Sequence, residues 1–266
     1  MELKDIFSVN RPIISPVVTK PLPGSPLFGG SLDDVIEGAL GEAKTLEEGG
    51  VDGISFENLG DAPYYKTVAP PETVASFGRV IGEVKRRTSL PIGVNVLRNC
   101  ADASLALSHA YDGRWIRVNM LTEAYVADQG LIEGVAAELM RKRAALGAGK
   151  VAVFADVHVK HASPLGTRPI RDSALDMVER GLADALIVTG TRTGSAPSAV
   201  DLRAVKGLKD VLIGSGLSHE NVETLLPLAD GAIVSSCFRR KGSVMNELEP
   251  ARISRFMSQV KRLRRK

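Results

Sequence analysis

The sequence predicts an α/β protein closed into a single (β/α)8 TIM barrel, with eight parallel strands inside a ring of helices. Three observations carry that expectation. Short apolar runs alternate with longer segments of helical periodicity along all 266 residues, with no linker, low-complexity tract or break in composition. Polar residues recur near the C-terminal ends of the apolar runs. Glycine- and serine-rich turns follow the seventh and eighth runs, where barrels of this kind bind phosphate. An open doubly wound sheet is the alternative, and those last two turns favour closure. One domain over 1–266 follows.

Ile13–Val18 is the first strand, with Pro12 and Pro16 expected at a strand start, edge or irregularity. The proline-rich stretch Lys20–Pro26 is too long for a mere turn and reads as an ordered lid or wall. Ser31 caps a helix, with Asp34 following in a weak capping box. Leu32, Val35, Ile36, Ala39, Leu40, Ala43 and Leu46 recur at helical spacing, and Gly49-Gly50 ends the run. Gly53–Glu57 is the second strand, placing Ile54 and Phe56 on one side and Ser55 and Glu57 on the other. After a loop at Asn58–Tyr65, Pro71 opens a helix striped by Val74, Phe77, Ile81 and Val84.

Ile92–Val96 is the third strand, Cys100–Tyr111 the third helix and Trp115–Asn119 the fourth strand. Glu123, Asp128 and Gln129 fall in a loop, and a helix is expected from Leu131 to Leu146. The fifth strand begins at Val151, and Pro169–Gly181 reads as the next helix. Ala185–Thr189 is the sixth strand, with a loop at 190–198 and a helix over Ala199–Leu208. Val211–Ile213 is the seventh strand, and Ser218 is expected to cap a short helix holding Val222, Leu225 and Leu226. Ala232–Val234 is the eighth strand, and Ile253, Phe256, Met257, Val260 and Leu263 stripe the closing helix.

A hydrophobic content of 44% and a charged content of 24% are ordinary for a soluble globular chain. Lys+Arg 34 against Asp+Glu 31, a net charge of +3, is too balanced to point to nucleic acid. The tail Lys261, Arg262, Arg264, Arg265, Lys266 is locally basic. It reads first as a solvated helix end whose cations suit the helix dipole, and it is compatible with peripheral membrane association. Cys100 and Cys237 form no disulfide framework and no zinc spacing, and read as packing residues. No signal-peptide segment and no apolar run of transmembrane length are present, so a cytoplasmic location is expected.

The stretch Val151–Ala162, VAVFADVHVKHA, turns from apolar to titratable within a few residues. On an extended chain Asp156, His158 and Lys160 share one side. With β-branched and large apolar residues turned toward the helices, the inward set is Glu57, Asn95, Arg117, Asn119, Asp156, His158 and Thr189. These lie at or near strand C-terminal ends, where barrel enzymes build their sites. An ion-pair cluster sealing the core is the plainer reading. It explains less, because buried polar groups gain little net energy even when paired.

Glu57, Asp156, His158 and Lys160 are therefore the catalytic candidates, and Asn95, Arg117, Asn119 and Thr189 the substrate-orienting ones. The carboxylates can act as bases, Arg117 can fix a carboxylate or pair with one of them, and His158 can shuttle a proton. Lys160 can polarise a carbonyl, or form a Schiff base if desolvated. Gly214, Ser215 and Gly216, with Ser235 and Ser236, suit a phosphate: glycine lets backbone approach the anion, and the helix expected at Ser218 would aim N–H groups at it. A metal set of Glu57, Asp156, His158 and His161 is disfavoured because His161 has the opposite parity and no tight ligand motif is present. No metal and no cofactor are expected.

PLPGSP at 21–26, ENLGDAPYY at 57–65, GVNVLRN at 93–99, RVN at 117–119, FADVHVKH at 154–161, GSG at 214–216 and DGAIVSS at 230–236 together resemble the BtpA/SgcQ family over nearly the whole chain. The resemblance implies a barrel of the ribulose-phosphate-binding type. In that family a cyanobacterial member is associated with photosystem I accumulation and the thylakoid surface, and bacterial members sit in sugar-utilisation contexts. Thr19 stands where the family commonly has a histidine, and Cys100 where it commonly has an acidic residue. Two functions follow as expectations. One is an enzyme performing acid–base chemistry on a phosphorylated small molecule such as a sugar phosphate, of isomerase, aldolase or lyase type. The other is a non-catalytic peripheral assembly or stability factor for a membrane complex such as photosystem I. Homo-oligomerisation is left open.

Overall fold

The computed structural model describes residues 1–190 and 192–265, so Thr191 of the sixth loop and Lys266 of the basic tail lie outside the described residues. In chain order the elements are β1 (Ile13–Val18), α1 (Leu32–Gly49), β2 (Gly53–Glu57), α2 (Pro71–Lys85), β3 (Ile92–Asn95), α3 (Ala101–Ala110) and β4 (Trp115–Val118). Next come β5 (Ala124–Ala127), β6 (Gly130–Glu133), α4 (Ala136–Ala145), β7 (Ala152–Val157), β8 (Ala162–Pro164), α5 (Ile170–Glu179) and β9 (Ala185–Val188). The chain closes with α6 (Ala199–Val205), β10 (Asp210–Ile213), α7 (Val222–Leu225), β11 (Gly231–Ile233) and α8 (Pro250–Arg264).

Strands β1, β2, β3, β4, β7, β9, β10 and β11 form a closed parallel barrel, sealed where Ile13 pairs Ala232 and Ile14 pairs Ile233. The expected eight-stranded TIM barrel is therefore the observed fold. Its elements form where local chemistry dictates. Ser31 Oγ accepts the Asp34 N–H at 3.1 Å to start α1, and Gly50, at φ +83°, ends it in the left-handed conformation that glycine adopts freely. Pro16 sits inside β1, on the side that β11 has already left after Ile14; the next residue facing that way, Val18, donates its N–H to Glu42 at 2.9 Å. The missing proline donor thus breaks no ladder.

Two packed layers surround the strands. Outward residues such as Val17, Phe56, Val94, Val153 and Val188 meet the helices in the main core. The lower half of the interior is filled by Ile14, Trp115, Phe154, Ile187, Leu212 and Ile233, plugged from below by Leu3 and Phe7. This corrects the expectation that large apolar residues all face the helices. A barrel interior is a packed core, and only its upper layer is available for polar groups. Trp115 stacks on Phe154 at a centroid distance of 5.7 Å, and a Cβ on Gly93 would fall 2.1 Å from the Trp115 ring. Gly93→Ala is therefore expected to overpack the interior, costing about 2 kcal/mol or more and lowering the melting midpoint by about 5 °C; an unchanged calorimetric midpoint would show that the indole can move aside.

A second correction concerns the excursion after β4. The loop expected at Glu123–Gln129 and the helix start expected at Leu131 are instead the hairpin β5–β6, which joins β8 in an antiparallel sheet of order β6-β5-β8. Tyr125 and Ile132 pair across it and are buried with Met120 and Val159. Burial of that alternate-residue face favours strand over helix here, and α4 begins only at Ala136. The third correction is at the seventh turn. Ser218 does not cap a helix: α7 is a single turn over Val222–Leu225, with Asn221 at its N-cap.

Candidate active site

The C-terminal ends of the barrel strands open into a cavity of about 750 Å³. Glu57, Asn95, Arg117, Asn119, Lys160, Gly214, Ser215, Gly216, Ser235 and Ser236, all sequence-derived candidates, line it. Period-two alternation along β2, β3, β4 and β7 brings Glu57, Asn95, Arg117 and Asp156 to this upper interior layer.

At the floor lies an ion cluster. The Arg117 guanidinium, 5% exposed, donates to both oxygens of Asp156, from Nε at 3.1 Å and Nη2 at 3.0 Å. Its Nη1 reaches Glu57 Oε1 at 3.4 Å. Burial alone would lower the Arg117 pKa, but the two carboxylates outweigh it and hold the guanidinium charged. Asn119 also donates to Asp156, so that carboxylate is bound at both oxygens. Glu57 is held only through Oε1 among the described residues. One guanidinium between two carboxylates leaves the cluster formally one negative charge in excess, with the Lys160 and Arg98 side chains nearby.

The two histidines exchange their expected places. His158 follows the last residue of β7 with φ +52°, a left-handed conformation that breaks strand alternation. Its Nε2 lies 3.1 Å from Ser173 Oγ of α5, and Ser173 donates to Glu123 at 2.7 Å. The expectation that Asp156, His158 and Lys160 share one side is thus corrected: His158 turns toward α5, while Lys160 and His161 line the cavity. His161 is itself at φ +57°, with Nε2 2.8 Å from Thr193 Oγ1. Partial burial and the Lys160 charge push its pKa below the usual histidine value.

Two further residues that line the cavity, Arg98 and Tyr64, and one that stands behind its wall, Asn221, are not among the site residues expected from sequence. Arg98, 7% exposed, arrives from the loop after β3, and its Nη2 donates to the Lys160 carbonyl. Tyr64 donates to the Leu59 carbonyl at 2.9 Å, and burial raises its pKa. Asn221 donates to the Gly216 carbonyl at 2.9 Å and accepts the Ser218 N–H at 2.8 Å, bracing the glycine loop from behind. The RN of GVNVLRN was the available signal for Arg98. For Asn221 there was none beyond the loop's length.

The glycine loop is sterically exacting. A Cβ on Gly216, which is at φ +72°, would sit 2.1 Å from the Ala196 nitrogen; one on Gly214 would sit 2.7 Å from Thr189 Cγ2 and 3.7 Å from Arg117 Nη2. Thr189 therefore lies behind Gly214 rather than on the cavity wall, and Gly214 adjoins the ion cluster. Because α7 is one turn long, the helix N-terminus expected to assist phosphate binding is not there. The residues that line the cavity at this corner are Gly214, Ser215 and Gly216, with Ser235 and Ser236. Leu27, Leu59, Leu97, Leu217, Val244 and Met245 supply an apolar wall. Among the described residues no cluster of three or more His, Cys, Asp or Glu side chains is placed to hold a metal. Cys100 is buried, its thiol pKa pushed up to about 12 by that burial, and it packs rather than reacts.

A polar, charge-lined mouth above a packed lower interior defines this molecule as a (β/α)8 barrel with its cavity at the C-terminal ends of the strands. The chain belongs to the BtpA family, whose model matches residues 9–262. It is 43% identical to the photosystem I biogenesis protein BtpA of Synechocystis over 97% of this chain and 90% of that protein. It is 34% identical to the putative sgc region protein SgcQ of Escherichia coli over 99% of both. In fold it is similar to N-(5'-phosphoribosyl)anthranilate isomerase of Pyrococcus furiosus, with a TM-score of 0.59 and 13% identity over 95% of this chain and 99% of that one. No helix among the described residues is long and apolar enough to cross a membrane.

Proposed function

We propose that this protein is an enzyme that carries out acid–base chemistry on a small phosphorylated metabolite, as an isomerase, aldolase or lyase. The observation that carries this reading is the contact between two halves of one cavity: the buried Arg117–Asp156–Glu57 cluster adjoins Gly214, the first residue of the glycine loop. The Gly214–Gly216 backbone with Ser235 and Ser236 holds the phosphate. Asn95, Arg117 and Asn119 orient the remainder of the substrate. Glu57, with one oxygen uncommitted, moves the proton, and Asp156 keeps Arg117 and Asn119 in place. The fold's likeness to an isomerase of a phosphoribosyl compound fits this reading.

Mass spectrometry of small molecules released on denaturing the purified protein identifies the substrate. With that compound in hand, Asp156→Asn is expected to lower turnover by about a hundredfold or more while leaving the far-ultraviolet circular dichroism unchanged. Wild-type turnover in that variant would remove Asp156 from the machinery.

The second reading, a non-catalytic peripheral factor, rests on the identity to the Synechocystis protein. Its local support, the basic tail, is partly committed elsewhere: Arg264 pairs with Asp52 and donates to the Arg11 carbonyl, and Arg262 lies 3.9 Å from Glu223. Salt-sensitive sedimentation with anionic vesicles, lost on deleting 262–266, would favour that reading.

A further inference from the structure

Lys160 differs from every other charged group around the cavity. Two carboxylates are nearby, yet both are engaged by Arg117 rather than by the lysine. The Lys160 Nζ has no hydrogen-bond or ion-pair partner among the described residues, although its side chain lines the cavity. Its backbone is held: the carbonyl accepts from Arg98, and the segment is fixed between β7, ending at Val157, and β8, beginning at Ala162. A lysine serving only as a counter-charge would be expected to take one of the two carboxylates. Here the fold supplies Arg117 for that purpose and leaves the amine without a direct partner at the cavity.

We propose that Lys160 is the covalent nucleophile of this site, forming an imine with the carbonyl carbon of a phosphorylated ketone or aldehyde. The proposal rests on the phosphate-binding reading above and narrows its substrate class. The neutral amine forms the C–N bond as the carbonyl π pair moves onto oxygen, and transfer of one amine proton to that oxygen gives a neutral carbinolamine. A further proton, taken up by the Glu57 carboxylate when the lysine ammonium became the neutral amine, lets the oxygen leave as water and gives the protonated imine. The Glu57 carboxylate then removes a proton from the α-carbon, or from a β-hydroxyl when a C–C bond breaks. The released electron pair is drawn toward nitrogen as the enamine. Reprotonation and addition of water return the amine and a carbonyl product. No step changes the overall oxidation level, and no co-reactant besides water is needed. Burial and the neighbouring Arg117 charge depress the amine's pKa to about 8, which supplies a usable neutral fraction near pH 7.

The test uses pyridoxal 5'-phosphate, a phosphorylated aldehyde, on the full-length protein, followed by borohydride reduction and peptide mapping. Lys160 is expected to be labelled faster than the exposed Lys150 by a factor on the order of ten or more at pH 7. Lys160 labelling should level off above pH 8, once the amine is mostly neutral. Inorganic phosphate should protect Lys160 and leave Lys150 untouched, and Lys160→Arg should lose the preferential adduct while still binding phosphate. Labelling of Lys160 no faster than Lys150, with phosphate binding intact by calorimetry, overturns the nucleophile and spares the phosphate site. Rapid labelling that phosphate does not affect would instead overturn the phosphate reading and retain the reactive amine.

Discussion

Replacing Arg117 with methionine is expected to destabilise the barrel by about 3–5 kcal/mol, because two buried carboxylates lose their shared partner. For a chain of this size that corresponds to a fall in melting midpoint of about 10 °C. Asp156 loses a bidentate pair and Glu57 its one side-chain partner among the described residues. Coupling to the site gives a sharper test than the midpoint alone. The double variant Arg117→Met/Asp156→Asn should be more stable than Arg117→Met, since it removes one of the two stranded charges. A single variant as stable as wild type, or a double variant less stable than the single one, would mean that the cluster is not held together as its geometry implies.

The next largest effect is expected at Arg239, which is 1% exposed and far from the ion cluster in sequence. Its guanidinium donates to both oxygens of Glu42 on α1, at 2.7 and 2.8 Å, and to the Asn246 carbonyl at 2.8 Å. Glu42 in turn accepts the Val18 N–H at the end of β1. One side chain thus ties the first strand, the first helix and the 239–249 loop together. Arg239→Met should cost about 3–4 kcal/mol, since truncating one partner strands a half-buried carboxylate. It should also loosen the loop that carries Val244 and Met245 on the cavity wall. Hydrogen exchange at 240–248 is expected to accelerate, with weaker ligand binding. A stability loss without faster exchange there would confine Arg239 to a purely structural part.

Much of the site could be read from residue order because strand geometry is simple. Glu57, Asn95, Arg117 and Asp156 each sit at the end of an apolar run, and alternation alone turns them inward. The same rule failed for His158 and His161, since both adopt positive φ although neither is glycine, and a residue in that conformation resets the parity of all that follow. Arg98 escaped for a related reason: it belongs to a loop, and no periodicity governs where a loop side chain points. Trp115 and Phe154 share the parity of Arg117 and Asp156, so alternation turns them inward as well, whereas the general rule that sends large apolar residues to the helices overlooks the need to fill the lower interior. The β5–β6 hairpin was hidden because its strands are short and flanked by charged residues. Its stability comes from covering Met120 and Val159, a contact invisible in local sequence.

The placement of Lys160 between a barrel strand and the small antiparallel sheet gives the amine two anchors of different kinds. The inner one is part of a closed ring that cannot shift without breaking many hydrogen bonds at once. The outer one runs through β8 into β5 and β6, whose face exposes Val126 and Leu131 at 50% and 44%. Movement of this outer ribbon would therefore reach Lys160 through β8, while the closed ring keeps Val157 in place.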